Sequence, residues 1–389
     1  MTLEFAALPL TRGPKHHFFG YYNIQTWDST GKYVLCLETT FQDRLPEEKD
    51  TAVIGMVEFE TREFHPLTET HAWNLQQGCM LHWLPTAPDR KIIYNDRDSE
   101  GRFVSVVLDV FTGERRVLPR AINGLGHDGR HALSLNFGRL RANRPVTGYA
   151  GPPDPYADQP HPADDGVFVM DVETGESELL VSLEQVYEYH GRPAELREPS
   201  LWFNHTIYNT DDTRFAFLSR WRSVPDFSVR FNDGLFVANA DGSGLKFLIG
   251  YGYVSHFDWY DPQVMLAWTN IDDQGNHYYL LDVDTGKYEI IGKDVLTVDG
   301  HCSFTQDRRW FLTDTYPDEN RMQTLKLWNL EEEREVVLGR FYAAPQVTGP
   351  IRCDLHPRWD RNDEWVCFDS VHEGTRQVYV LDARKALGT

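Results

Sequence analysis

Residues 106–118 read VVLDVFTGERRVL and residues 167–180 read VFVMDVETGESELL. In each, an apolar β-rich run meets Asp, then Thr-Gly, then a second such run. Gly adopts positive φ without steric cost and Asp hydrogen-bonds its own turn, so each copy predicts a hairpin. The pattern recurs in both directions along the chain. Its other copies are VIGMVEFETREFHPL from Val53, LFVANADGSGLKFLI from Leu235, YYLLDVDTGKYEII from Tyr278, LKLWNLEEEREVVL from Leu325 and VYVLDARKALG from Val378.

A second signal opens each unit: WDSTGKYVLCLE, PDRKIIYND, HDGRHALSLN, DDTRFAFLSR, YDPQVMLAWT, QDRRWFLTDT and WDRNDEWVCFDS. One Asp from each (Asp28, Asp89, Asp128, Asp212, Asp261, Asp307, Asp360) gives intervals of 39 to 84 residues. A four-stranded blade takes roughly 40–50 residues. Seven copies therefore fill the 389 residues, and the sequence predicts an all-β, seven-bladed β-propeller forming a single domain over 1–389. Two stacked β-sandwiches are the other option, but no composition break marks a boundary between halves. The longest interval holds a Pro/Gly-rich insertion at residues 141–166, RANRPVTGYAGPPDPYADQPHPADDG. Residues near the N-terminus are expected to complete the last blade.

Composition is that of a globular chain: 41% hydrophobic, 13% aromatic and 25% charged. No apolar run is long enough for a transmembrane helix, so no membrane partner is expected. The net charge of −21 argues against a nucleic-acid partner. It also means that an anionic ligand needs a local cluster of cations. Five scattered cysteines form no disulfide framework. The N-terminus shows neither a basic n-region nor a clean small-residue cleavage site, so a cytoplasmic location is expected.

The segment before each opening turn should be the innermost strand of its blade. Five such segments carry a histidine: His82, His205, His256, His301 and His356. Equivalent positions in successive blades point to a common axis, so these residues can converge. His301 in DGHCSF, with Cys353 and His356 in RCDLHPRW and His256 in SHFDW, offers a nitrogen and sulfur ligand set. Such a set suits zinc; mostly imidazole ligation with an added carboxamide or water suits manganese or iron. Arginines bunch at Arg139, Arg141 and Arg144 and again at Arg220 and Arg222, and Arg220 is the stronger candidate for binding a carboxylate. Trp202 and Trp221 are candidate faces for sugar rings, and His16 and His17 are candidates for the same channel mouth.

The segments HHFFGYYNIQTWDSTGKYVLCLETTFQDRLP, WNLQQGCMLHWLP, DGHCSFTQDRRWFLTDTYPD and LHPRWDRNDEWVCFDS resemble motifs of the oligogalacturonate-lyase-like propellers, a group that also includes seven-bladed ulvan lyases. The resemblance implies cleavage of anionic, uronic-acid-containing oligosaccharides by β-elimination, assisted by a divalent metal ion, manganese or zinc. It places His301 and His356 in the metal region, with His256 either a ligand or the base, beside Cys353 as the further candidate ligand of the set read above. By analogy His205 becomes the base and Arg220 the carboxylate clamp, and His82, which the resemblance does not assign, is counted with them as a catalytic candidate. The last blade departs from the group's pattern, since Cys353 and Asp354 stand where a Gln and paired His are expected. A glycoside hydrolase and a non-catalytic carbohydrate-binding propeller are the alternatives on the same scaffold.

Overall fold

The computed structural model describes residues 5–224 and 226–388. Of the expected domain, Met1 to Glu4, Pro225 and Thr389 lie outside the described residues. The strands form seven four-stranded antiparallel sheets, so the fold is the seven-bladed propeller. The second blade shows the plan, running outward as His82–Trp83, Lys91–Arg97, Phe103–Asp109 and Arg115–Leu118. The repeated D-x-x-T-G hairpins join third strand to fourth. Asp109 Oδ1 accepts the N–H of Phe111 and of Thr112, each at 3.0 Å, while Gly113 sits at φ 75°. Asp171 and Asp282 repeat the same turn.

The ring closes as expected. Leu8–Pro9 pairs with Val380 and Tyr379 and forms the outer strand of the blade that otherwise comes from the C-terminus. Closure by hydrogen bonds leaves no gap in the ring through which blades could part. The 84-residue interval holds two excursions rather than one. The first starts earlier than residue 141, with the helix Phe137–Asn143 capped by Asn136. The second lies between blades three and four and carries the helix Leu183–Tyr189 with a Ser182–Gln185 capping box. Pro and Gly advertise the first insertion, whereas the second reads as ordinary polar sequence. No helix among the described residues is long and apolar enough to cross a membrane.

The innermost strands share one register. Trp83, Leu125, Tyr208, Trp259, Phe304 and Trp359 each face the second residue of the next strand, and Trp27 is bridged in the same way to Val34. Three residues before each lies the equivalent inner position: Ile24, Met80, Ile122, His205, His256, His301 and His356. The ladder slips near this layer in three blades, between Ile122 and Gly124, Asn204 and Ile207, and Val254 and Phe257. Met80, His205 and His356 there take positive φ of 51°, 53° and 41°. Bulges of this kind bend a strand and re-aim its side chains. Deleting residues 1–11 should lower the thermal midpoint by on the order of 5 °C or more, read by calorimetry, because the last blade loses its outer strand.

Candidate functional site

The four histidines of the inner layer border a cleft of about 280 Å³ at one mouth of the channel. The His256 and His301 rings lie 4.0 Å apart between centroids, and those of His301 and His356 lie 4.2 Å apart. His205 stacks on Tyr21, with its Nε2 3.2 Å from the Tyr21 hydroxyl and its Nδ1 3.2 Å from Gln77 Nε2. His256 Nδ1 stands 3.0 Å from Asp299 Oδ1, and the other oxygen of Asp299 accepts from the Tyr253 hydroxyl at 3.1 Å.

His301 is held from behind. Its backbone N–H donates to Asp314 Oδ1 at 2.7 Å, and its Nδ1 lies 2.9 Å from the same atom. Gly300 permits that approach, since a Cβ there would stand 1.9 Å from the Asp314 carbonyl oxygen. With Nδ1–H engaged by a carboxylate, the Nε2 lone pair remains for a ligand; this is how metal-binding histidines are oriented. His301, Asp354 and His356 each present a donor atom within 4.8 Å of the others, all buried. Imidazole and carboxylate together form a donor set that fits manganese better than a thiolate set would.

Burial drives His205, His301 and His356 well below the usual imidazole range, and neighbouring positive groups add to the effect. All three are therefore neutral and have lone pairs to offer. Burial pushes Asp314 up to about 7. Burial also keeps the Tyr21 phenol protonated, outweighing Arg220 and Arg144.

Four guanidinium groups line this small cleft in a chain of net charge −21. Arg220 Nε donates to buried Asp233, while its Nη1 is buried with no partner among the described residues. Arg230 reaches the same carboxylate at 3.4 Å, and Arg352 pairs with Asp354 at 2.8 Å. Arg144 packs on the Phe231 ring at 4.5 Å and has no carboxylate partner among the described residues; its Nε is also unsatisfied. Burial, then Arg220 and Arg352, lower it to about 9. A half-buried guanidinium with no acid beside it among the described residues leaves positive charge exposed to this cleft.

His205, Arg220, His256, His301 and His356 thus come together as expected. His82 does not. It lines a separate cavity with Trp83 and Asn123, because its register position is two residues past the histidine layer. Counting back from Asp89 misleads, since the second blade has a longer opening turn. Cys353 is not grouped with the donor atoms: it packs with Ala344, Val347 and Val371, and burial pushes its thiol up to about 12. Asp354 takes its place in the cluster. His16 and His17 lie on the inner strand of the first blade, with His17 bonded to Gln377 at 3.1 Å, outside the cleft. Trp202 is buried beneath the ring of Phe231, which lines the cleft instead, and Trp221 is not among the lining residues. Arg144 belongs to the site although Arg220 seemed the better candidate from sequence. Tyr21, Gln77, Asp299, Tyr316 and Arg352 were not named individually, although each stands in a segment read as an inner strand or motif: GYYN, QQG, DGHCSF, DTYPD and RCDLHPRW.

Neither protein-family models nor curated proteins yield a match to the chain. Among solved structures, it is similar to an oligogalacturonate lyase in complex with manganese, with a TM-score of 0.69 and 15% identity over 100% of this chain and 98% of that one. An oligogalacturonate lyase from Vibrio parahaemolyticus gives 0.68 and 17%, over 99% and 98%. The β-propeller domain of the trilobed protease from Pyrococcus furiosus gives 0.53 and 12%, over 94% and 96%. At these identities the likeness establishes the propeller fold and nothing finer.

Replacing Arg220 by Ala should destabilise the protein by about 3 kcal/mol, because it strands Asp233 with only the half-exposed Arg230 as partner. Removing Asp233 as well should recover much of that loss, as read from urea denaturation midpoints.

Proposed function

We propose that this chain is a lyase that cleaves uronic-acid oligosaccharides by metal-assisted β-elimination. The observation that carries the reading is the meeting, in one cleft, of three neutral buried histidines with two guanidinium groups, Arg220 and Arg144, that have unsatisfied nitrogens. The likeness to two oligogalacturonate lyases supports it. A cytoplasmic enzyme acting on imported oligosaccharides is part of the same proposal.

Elimination across C4–C5 of a uronide begins with removal of the C5 proton beside the carboxylate. That proton is only weakly acidic until the carboxylate charge is neutralised. Arg220 Nη1 and Arg144 face the cleft as the carboxylate clamp. With the Gln77 amide turned so that its otherwise unpartnered Oε1 accepts the His205 Nδ1–H, His205 Nε2 takes the proton, the freed pair becomes the C4–C5 double bond, and the C4–O bond breaks. Tyr21, kept protonated by burial, gives its proton to the leaving oxygen and is restored by His205, 3.2 Å away. His301, Asp354 and His356 would hold a divalent cation, manganese in preference to zinc, with His256 beside them. When bound, that ion supplies Lewis-acid neutralisation of the carboxylate.

Electrostatics sharpen the assignment of His205. Burial and then Arg220 lower its proton affinity in the free protein. An anionic substrate offsets those arginines and so raises the basicity of His205 once it binds. The acidic limb of kcat/KM should therefore lie below the ordinary imidazole value. Arg220→Gln should move that limb to higher pH and lower kcat/KM by on the order of 10²–10³.

Incubation with oligogalacturonate and manganese should yield an unsaturated product with near-ultraviolet absorbance. His205→Ala should abolish it, and His301→Ala should lose stoichiometric metal by elemental analysis. New reducing ends without that absorbance would instead make the protein a hydrolase. Binding without turnover would leave it a carbohydrate-binding propeller.

A further inference from the structure

The channel has a second cavity, of about 510 Å³, at the mouth opposite the histidine cleft. Chain order in the inner strands establishes the opposition. His205 lines the first cavity and Thr206 to Tyr208 the second; His256 lines the first, Asp258 and Trp259 the second; His301 the first, Ser303 and Phe304 the second. Tyr21 and Tyr22 divide them, their rings 4.6 Å apart, with the Tyr22 hydroxyl fixed on the Phe257 carbonyl at 2.9 Å.

The lining of this second cavity has a distinct chemistry. His82 Nε2, Asn23 Oδ1, Asn123 Nδ2 and Ser303 Oγ are all buried and have no hydrogen-bond partner among the described residues. Buried polar groups are normally satisfied, so four such atoms around one void point to a missing partner. Trp359 Nε1 and Arg358 Nε on the same lining are also without a partner among the described residues, and of these six groups only Arg358 is charged. Burial lowers His82 to about 3, which keeps it neutral. Asn123 is not free to turn away, because its Oδ1 accepts from both Thr206 N and Thr206 Oγ1 at 2.9 Å. Its amide N–H₂ is thereby held in place as a donor. Of the charged groups on the lining, burial pushes Asp258 up to about 6 against the pull of Arg308, Arg358 is paired with Asp369 at 2.9 Å, and Arg361 Nε donates to the Trp27 carbonyl at 3.0 Å. Ile24, Ile207 and Pro85 supply apolar wall between the polar atoms. Alternating neutral donors, neutral acceptors and apolar surface match a sugar ring, whose hydroxyls each both donate and accept.

We infer that this opposite mouth is a second saccharide site that takes a neutral, polyhydroxylated ring and takes no part in catalysis. It does not depend on the chemistry assigned to the histidine cleft. Trp83, Trp259 and Trp359 lie on its wall and report its occupancy.

The test titrates the full chain with D-galactose and, separately, with D-galacturonate, following tryptophan fluorescence. Galactose should give a saturable change that survives His301→Ala. His82→Phe, which keeps the ring volume, and Ser303→Ala, which removes one hydroxyl, should each weaken it about tenfold. Ser303→Ala serves as the variant least able to disturb folding. No saturable change with galactose, undiminished wild-type affinity in both variants, or tighter binding of galacturonate than of galactose would each overturn the inference. Lyase activity on oligogalacturonate is read separately in His82→Phe and Ser303→Ala and should be unchanged, so failure of one reading leaves the other intact.

Discussion

Everything in this molecule hangs on the register with which each innermost strand meets its neighbour. In six blades a Trp, Tyr or Phe, and in one Leu125, stands opposite the second residue of the next strand. Because side chains alternate along a strand, a slip of one residue would turn the channel-facing set into the blade-packing set. The aromatic rings are too large to move without opening the interface between blades. With the ring fixed, the residue three places earlier is fixed too. Seven such positions make one layer, apolar in the first three blades and histidine in the last four. The histidine cleft is the result of one register applied seven times.

That layer costs stability. Four histidines and several arginines are taken out of water, and the positive φ at His205 and His356 adds backbone strain. The surrounding carboxylates offset part of the cost by pairing: Asp233 with Arg220, Asp299 with His256, Asp314 with His301 and Asp354 with Arg352. Arg144 is the exception. It arrives from an insertion outside the repeat and brings a cation with no acid paired to it among the described residues, which leaves the cleft with positive charge to offer a ligand. The chain's net charge is −21, yet the local arrangement supplies the cluster of cations that an anionic ligand needs.

The fold was legible because hairpin chemistry is local: Asp, Thr and Gly at fixed offsets specify a turn wherever they occur. Most of the histidine layer was legible for the same reason. HTIY, HFDW, HCSF and HPRW each place His three residues before an aromatic, which is the true register signal. His82, in HWLP, breaks it, and counting from the turn Asp hid the break because opening turns vary in length. Cys353 could not be excluded from sequence, since a thiol beside a candidate ligand looks the same whether it faces a metal or Val347 and Val371. Arg144 was named in a bunch but ranked below Arg220, because its place depends on how an irregular segment folds back; Asp314 stood in a quoted motif but was not named, because its role depends on lying behind His301.

The central claim is that this cleft grips a uronate carboxylate between Arg220 and Arg144 with the histidine layer beneath it. A crystal structure of the His205→Asn variant soaked with oligogalacturonate and manganese tests it most directly. The account predicts a carboxylate against Arg220 Nη1 and Arg144, with a metal held by His301, Asp354 and His356. Sugar bound only outside this cleft, or a metal elsewhere than on those three residues, would contradict it.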